Sequence, residues 1–191
     1  MNIASLIPAA GAATRMGRAK QLLPFKNSTI IEHTLGNALE IPFVENRVVL
    51  GAYHHIIGPQ IKDYPIEITI NTDWQKGLGT SIALGMQEMK SEPMAVLVLL
   101  ADQPLITTDI LWNMIQQFTI SEKPVMAARY EDILGVPAIF DKSFFPLLAS
   151  MDGQKGAGKI IKEAGEQVEY IDVPEAGYDI DTPEDYRRLI D

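Results

Sequence analysis

A chain of 191 residues, with 47% hydrophobic and 21% charged side chains, is long enough to bury one sizeable core and has the balance of an ordinary globular domain. Its 25 acidic residues outnumber 16 Lys and Arg, and the resulting charge of -9 argues against a nucleic-acid backbone or an anionic membrane as partner. Cysteine is absent, which excludes disulfides, thiolate metal ligands and cysteine nucleophiles together and suits a reducing compartment. The longest apolar run, Met94 to Ala101, is too short to cross a bilayer, and no signal-peptide pattern precedes Gly11. We therefore expect a cytoplasmic protein, and a single domain over residues 1–191 because no linker, repeat or low-complexity tract divides the chain.

In chain order, the run Ile3 to Pro8 reads as a buried strand and Ser28 to Leu39 as a helix. Strands follow at Arg47 to Leu50 and Ile66 to Ile70, then a helix at Thr80 to Met89, a strand at Met94 to Leu100 and a helix at Thr108 to Phe118. Val125 to Ala128 is the next strand. Val136 to Phe140 and Gln167 to Val173 read as shorter strands that join the sheet's edge in the antiparallel sense. Helices are expected at Lys142 to Ser150, Gly158 to Ala164 and Pro183 to Leu189. Apolar strands alternating with amphipathic helices predict an α/β three-layer sandwich around a mixed, mostly parallel sheet, in a Rossmann-like arrangement.

The first strand runs into Pro8-Ala9-Ala10-Gly11-Ala12-Ala13-Thr14-Arg15-Met16-Gly17, followed by Arg18-Ala19-Lys20. Small residues at the carboxyl end of a buried parallel strand let backbone N–H groups approach a ligand, and Arg15 and Lys20 add positive charge to an acidic protein. The pattern reads either as a phosphate-binding loop or as a surface loop with two solvated cations. Two near-matches are set aside. Gly153 to Lys159 fits GxxxxGK but continues with Ile160 and follows a helix. Gly79 to Ala83 resembles a nucleophile elbow but ends in Ala. Only His33, His54 and His55 are available as histidine bases, and His54 and His55, being adjacent, do not share a face.

GxxxRMGxxK after an N-terminal strand resembles the nucleotidyltransferases of the molybdenum cofactor cytidylyltransferase type. The resemblance continues through Gln21-Leu22-Leu23-Pro24, Asn71 to Ser81, Ala101-Asp102-Gln103-Pro104, Gly135-Val136-Pro137 and Asp179 to Asp185, in the family's order and over essentially the whole chain. It implies transfer of a nucleoside monophosphate from a nucleoside triphosphate to a phosphorylated acceptor, with magnesium as cofactor and molybdopterin as the first acceptor to consider. Ala9, Ala10, Gly11, Arg15 and Lys20 would then hold the nucleotide, with Arg15 and Lys20 stabilising the leaving pyrophosphate.

Asp102 follows the most hydrophobic strand and should emerge at the same sheet edge as the Gly11 loop, where magnesium favours one or two carboxylates beside phosphate oxygens. The plainer account makes it a turn residue before Pro104. The resemblance implies that the Asp179 to Asp181 strand end completes the metal site, with Asp181 the favoured ligand and Asp179 the other candidate. Glu184 and Asp185 are read as acidic residues that suit the start of the last helix. Asn71, Gly79 and Ser81 belong to a loop and helix start able to hold base, ribose or acceptor; in the plainer account Thr80 or Ser81 caps that helix.

Ala10 and Gln103 resemble the cytidylyl branch, whereas Pro8 stands where that branch usually has Thr; CTP is expected ahead of GTP. Val136 replaces a His common in the family, which keeps a sugar phosphate or another phosphorylated acceptor open. A non-catalytic protein that binds and delivers a cofactor to a molybdoenzyme is the reading from another class.

Overall fold

The computed structural model describes residues 2–153 and 156–190. Of the motif set aside above, Gln154 and Lys155 lie outside them. The strands are β1 (Ile3–Ala9), β2 (Pro24–Phe25), β3 (Ser28–Thr29), β4 (Asn46–Leu50), β5 (Glu67–Ile70), β6 (Ala95–Val98), β7 (Val125–Tyr130), β8 (Ile133–Asp141) and β9 (Val168–Asp172). The helices are α1 (Ile30–Leu39), α2 (His54–Ile61), α3 (Leu78–Gln87), α4 (Thr108–Ile120), α5 (Phe145–Ala149), α6 (Ala157–Ala164) and α7 (Pro183–Ile190).

Seven strands form one sheet in the order β5-β4-β1-β6-β8-β7-β9, while β2 and β3 make a separate hairpin. Both faces are covered, and the period of two along each strand sorts the side chains. Ile3, Ile7 and Ala9 of β1, with Leu97 of β6, pack against α1, α2 and α4 on one face. Leu6, Val96 and Val98 pack against α3, α5 and α6 on the other.

The chain leaves β1 toward β4 and β5, then returns to β6 on the opposite side of β1. Connections after β1 and β6 therefore diverge and leave a crevice at the carboxyl ends of these two strands, where open α/β sheets take their ligands.

The last third departs from expectation in register. β8 is antiparallel to both neighbours, but it lies inside the sheet between β6 and β7; β9 takes the edge and runs parallel to β7. A short connection from β7 forces the antiparallel hairpin, and the long excursion through α5 and α6 permits a parallel return. The last β6 pair is Val98 with Ala138, so residues 133–137 extend beyond the end of β6.

Local chemistry sets the helix starts. Thr29 and Glu32 form a reciprocal capping box at α1, so Ser28 and Thr29 belong to the hairpin rather than the helix. The expected cap of α3 by Thr80 or Ser81 is corrected: α3 starts earlier, with Gly77 at the cap position in an extended, positive-φ conformation (φ 121°). Thr80 instead donates its hydroxyl to the Gly77 carbonyl at 2.8 Å. The helix expected over Lys142 to Ser150 is split into a 3-10 turn at Lys142–Phe144 and the short α5.

Candidate functional site

The loop after β1 is held by its own sequence. Gln21 donates its amide to the carbonyls of Ala9 at 3.1 Å and Gly11 at 3.4 Å, which fixes the loop's first arm from behind. Met16 is buried in a small cluster with Leu23, Phe25, Ile30 and Ile180, and anchors the second arm. Gly17 takes φ +66° to close the turn, and Ala13 is forced into the left-handed region at φ 46°. In Arg15-Met16-Gly17 the arginine is thus left pointing out, its side chain 72% exposed.

One neighbour, Gly51, was not singled out from sequence. A Cβ on Gly51 would stand 2.6 Å from the Ala10 carbonyl oxygen and 2.8 Å from Trp74 Cβ, so only glycine lets the turn after β4 pack beneath the loop. Gly51 follows buried Leu50 directly, as the Gly11 loop follows β1, and that parallel was the available signal.

Between these loops opens a cleft of about 540 Å³, lined by residues 8–15, by Lys20, Asp102 and Asp181, and by Trp74, Gly77 and Ser81 opposite. Of the residues expected from sequence, Ala9, Ala10, Gly11, Arg15, Lys20, Ser81, Asp102 and Asp181 face this one cleft. Asn71, Gly79 and Asp179 do not line it. Asn71 is buried behind the wall, donating to Thr80 Oγ1 and Ser81 Oγ at 2.9 Å each and accepting from the Asp73 N–H. The Gly79 N–H is bonded to the Gly153 carbonyl. Gln103 is likewise buried, its amide donating to the carbonyls of Val136 at 3.2 Å and Ala176 at 2.9 Å, so it braces the adjoining wall.

Lys20 is the electrostatic centre. Its Nζ lies 2.5 Å from Asp102 Oδ2 and 3.0 Å from Asp181 Oδ1, and Arg15 Nη1 reaches Asp181 Oδ2 at 3.2 Å. Burial alone would lower the Lys20 pKa, but Asp102 and Asp181 more than offset it and hold the ammonium above its ordinary value. Asp179 shows the opposite crowding. Burial of its carboxyl, then the charge of Asp102 and last that of Asp181, push it up to about 6 against the pull of Gln103 and Lys20. The residue as a whole is exposed, so the neighbouring carboxylates are the firmer cause.

Three carboxylates thus share the site with two cations. Among the described residues no three acidic or histidine side chains converge as a ready-made metal cage. The donor set is nevertheless the hard-oxygen kind that suits magnesium or manganese, and its surplus negative charge favours a further cation. The histidines stand apart from it: His33 packs edge-on against Phe25, and His54 bonds the Gly51 carbonyl.

The last segment is positioned by α7. Asp185 Oδ2 accepts from the N–H groups of Asp181 at 3.2 Å and Thr182 at 2.8 Å, and Tyr186 donates its hydroxyl to the Pro24 carbonyl at 2.7 Å. This ties the Asp181 backbone to the hairpin that follows the Gly11 loop.

Residues 5–168 match the MobA-like NTP transferase domain. The chain belongs to that family. As a MobA-like NTP transferase it is a nucleotidyltransferase, and the matched segment includes β1, the Gly11 loop and Asp102; Asp179 and Asp181 lie beyond that segment. The chain is 28% identical to nicotine blue oxidoreductase of Paenarthrobacter nicotinovorans, over 98% of this chain and 96% of that protein. It is 24% identical to the molybdenum cofactor cytidylyltransferase of Escherichia coli K12, over 95% of this chain and 92% of that one. The crystal structure of Rv0371c from Mycobacterium tuberculosis H37Rv superposes with a TM-score of 0.88 at 27% identity, covering 100% of this chain and 97% of the other. The same protein has also been solved in complex with manganese, with a TM-score of 0.83 at 26% identity, covering 100% and 98%.

Proposed function

We propose that this MobA-like NTP transferase moves CMP from CTP to a phosphorylated small acceptor, with molybdopterin the first candidate. The observation that carries the reading is the meeting of Lys20, Asp102 and Asp181 in one cleft beside the Gly11 loop.

An oxygen of the acceptor phosphate attacks the α-phosphorus in line. The new P–O bond forms as the bond to the bridging oxygen breaks, and the electron pair leaves on pyrophosphate. Such a transfer depends on positioning and charge neutralisation, with no covalent enzyme intermediate required. Backbone N–H groups of the Ala10 to Thr14 arm cradle the phosphates, while Lys20 and exposed Arg15 receive the charge that grows on the leaving group. Asp102 and Asp181, with Asp179 beside them, are the residues that would hold magnesium, which would supply positive charge to neutralise the phosphates. The manganese complex of the Mycobacterium neighbour supports a divalent cation in this fold. Asn71 acts from behind, by fixing Ser81 on the cleft wall.

CTP is favoured over GTP by Ala10 and Gln103, and the similarity to the E. coli cytidylyltransferase supports that choice. Val136 departs from the family pattern, which leaves other phosphorylated acceptors open.

Pyrophosphate release tests the reading. The protein is incubated with magnesium and each of CTP, GTP, ATP and UTP, with and without molybdopterin, and Lys20→Ala serves as control. Release that requires CTP, molybdopterin and Lys20 is expected; equal release with GTP would refute the base preference. Full-length similarity to a protein named nicotine blue oxidoreductase favours a second reading, in which the cleft holds a nucleotide cofactor for redox chemistry. Oxidation of a reduced nicotinamide nucleotide, with no pyrophosphate from any triphosphate, would select it.

A further inference from the structure

We infer that Lys20 is the resident counter-ion of the Asp102 and Asp181 carboxylates, and that it makes divalent-cation binding conditional on nucleotide. The inference rests on the reading above, since it concerns the same carboxylates. Its basis is that one ammonium is bonded to both of them, at 2.5 and 3.0 Å, with its side chain only 11% exposed.

Both carboxylate-bearing segments are held by bonds within the protein. The backbone N–H of Asp181 is bonded to Asp185, and α7 is docked on the hairpin through Tyr186. The carbonyl of Asp102 accepts the Ile180 N–H at 3.2 Å, which joins the two carboxylate-bearing segments directly. The arrangement is therefore fixed on the acidic side and adjustable on the cationic side, where a long lysine side chain reaches across the gap.

An ammonium and a divalent cation cannot share that gap, because the two positive charges would repel at close range in a partly desolvated site. A cation arriving alone must displace Lys20 from two ion pairs and leave it buried without a partner. A triphosphate removes that obstacle. Its oxygens take Lys20 and the exposed Arg15, which now holds Asp181 at 3.2 Å, and both carboxylates are released for the cation. The two ligands then bind better together than either binds alone, and by linkage each strengthens the other by the same factor.

Manganese binding, followed by the electron paramagnetic resonance of the free ion, tests this without reference to turnover. The decisive comparison is nucleotide-free. Wild type should bind manganese weakly, Lys20→Met about tenfold or more tightly, and Lys20→Arg as weakly as wild type, a span within the usual range of coupling between sites. CTP should strengthen binding to wild type well above the background of manganese held by CTP itself, and should strengthen binding to Lys20→Met far less. Lys20→Gln replaces Lys20→Met if circular dichroism shows that the latter is unfolded. Nucleotide-free binding no tighter in the neutral variant than in wild type would overturn the inference while leaving the transferase reading intact, as would Lys20→Arg matching Lys20→Met. Absence of manganese binding to wild type even with CTP would overturn both.

Discussion

Two buried cations in this protein are each flanked by carboxylate, and they are built to opposite ends. Arg47 on β4 is bonded to Glu45 through Nε at 2.8 Å and to Thr69 at 2.6 Å, and Glu45 accepts the N–H groups of Lys90 and Ser91 at 2.9 and 2.7 Å. Their side chains are 2% and 6% exposed, and the group is closed on itself. Lys20 has two carboxylate partners where Arg47 has one, but Asp181 is 48% exposed and the whole cluster opens onto the cleft. A closed pair knits strands to a neighbouring turn. An open, negatively overcharged cluster is poised to exchange partners. Burial alone does not separate a structural ion pair from a functional one; access and charge balance do.

The sharpest way to break that contrast is to remove each cation in turn. Arg47→Ala strands the Glu45 charge in the interior and should cost about 3–5 kcal/mol in denaturant unfolding, with the surviving folded protein keeping its nucleotide affinity. A loss under about 1 kcal/mol would mean that the closed pair is dispensable. Lys20→Ala should do the reverse, lowering turnover by about 10²–10³-fold, the scale for losing one stabiliser of transition-state charge. Its melting temperature should move far less than that of Arg47→Ala.

A smaller effect lies in pH. Burial would raise Glu45, but the Ser91 N–H and Arg47 outweigh it and hold the carboxyl below its ordinary value. The stability it adds is full above the unfolded carboxylate pKa and is lost as pH falls through the lower folded value. Melting curves across the acid range should therefore slope less steeply for Glu45→Gln than for wild type; equal slopes would contradict the assignment. Smallest of all, Thr29→Ala removes one half of the α1 capping box and should cost about 1 kcal/mol without altering turnover.

Much of the site was legible because its signals are local. Small residues after the buried run Ile3 to Pro8, then Arg15 and Lys20, announced the loop, and Asp102 after the most hydrophobic strand announced its partner. The sheet's core was legible for the same reason, since β1, β4 and β6 carry their own apolar patterns. What stayed hidden depends on pairings distant in sequence. Nothing local shows that β8 inserts between β6 and β7, or that Gly51 must pass beneath Ala10. The contact of Lys20 with Asp181, 161 positions apart, exists only once α7 has docked on the hairpin. Helix α2 was missed because Gly58-Pro59 reads as a breaker, although Pro59 is accommodated inside that short helix. Asn71 was read as facing a ligand because its loop does; the polar side chain turns inward to bind Ser81 instead.

The central claim is that Lys20, Asp102 and Asp181 form the centre at which a nucleotide's α-phosphate is transferred. Its most direct test is single-turnover transfer from CTP labelled at the α-phosphate to a phosphorylated acceptor, molybdopterin first, by wild type, Lys20→Ala and Asp102→Asn. Labelled acceptor is expected with wild type and almost none with either variant, each still folded. Wild-type transfer by both variants would contradict it.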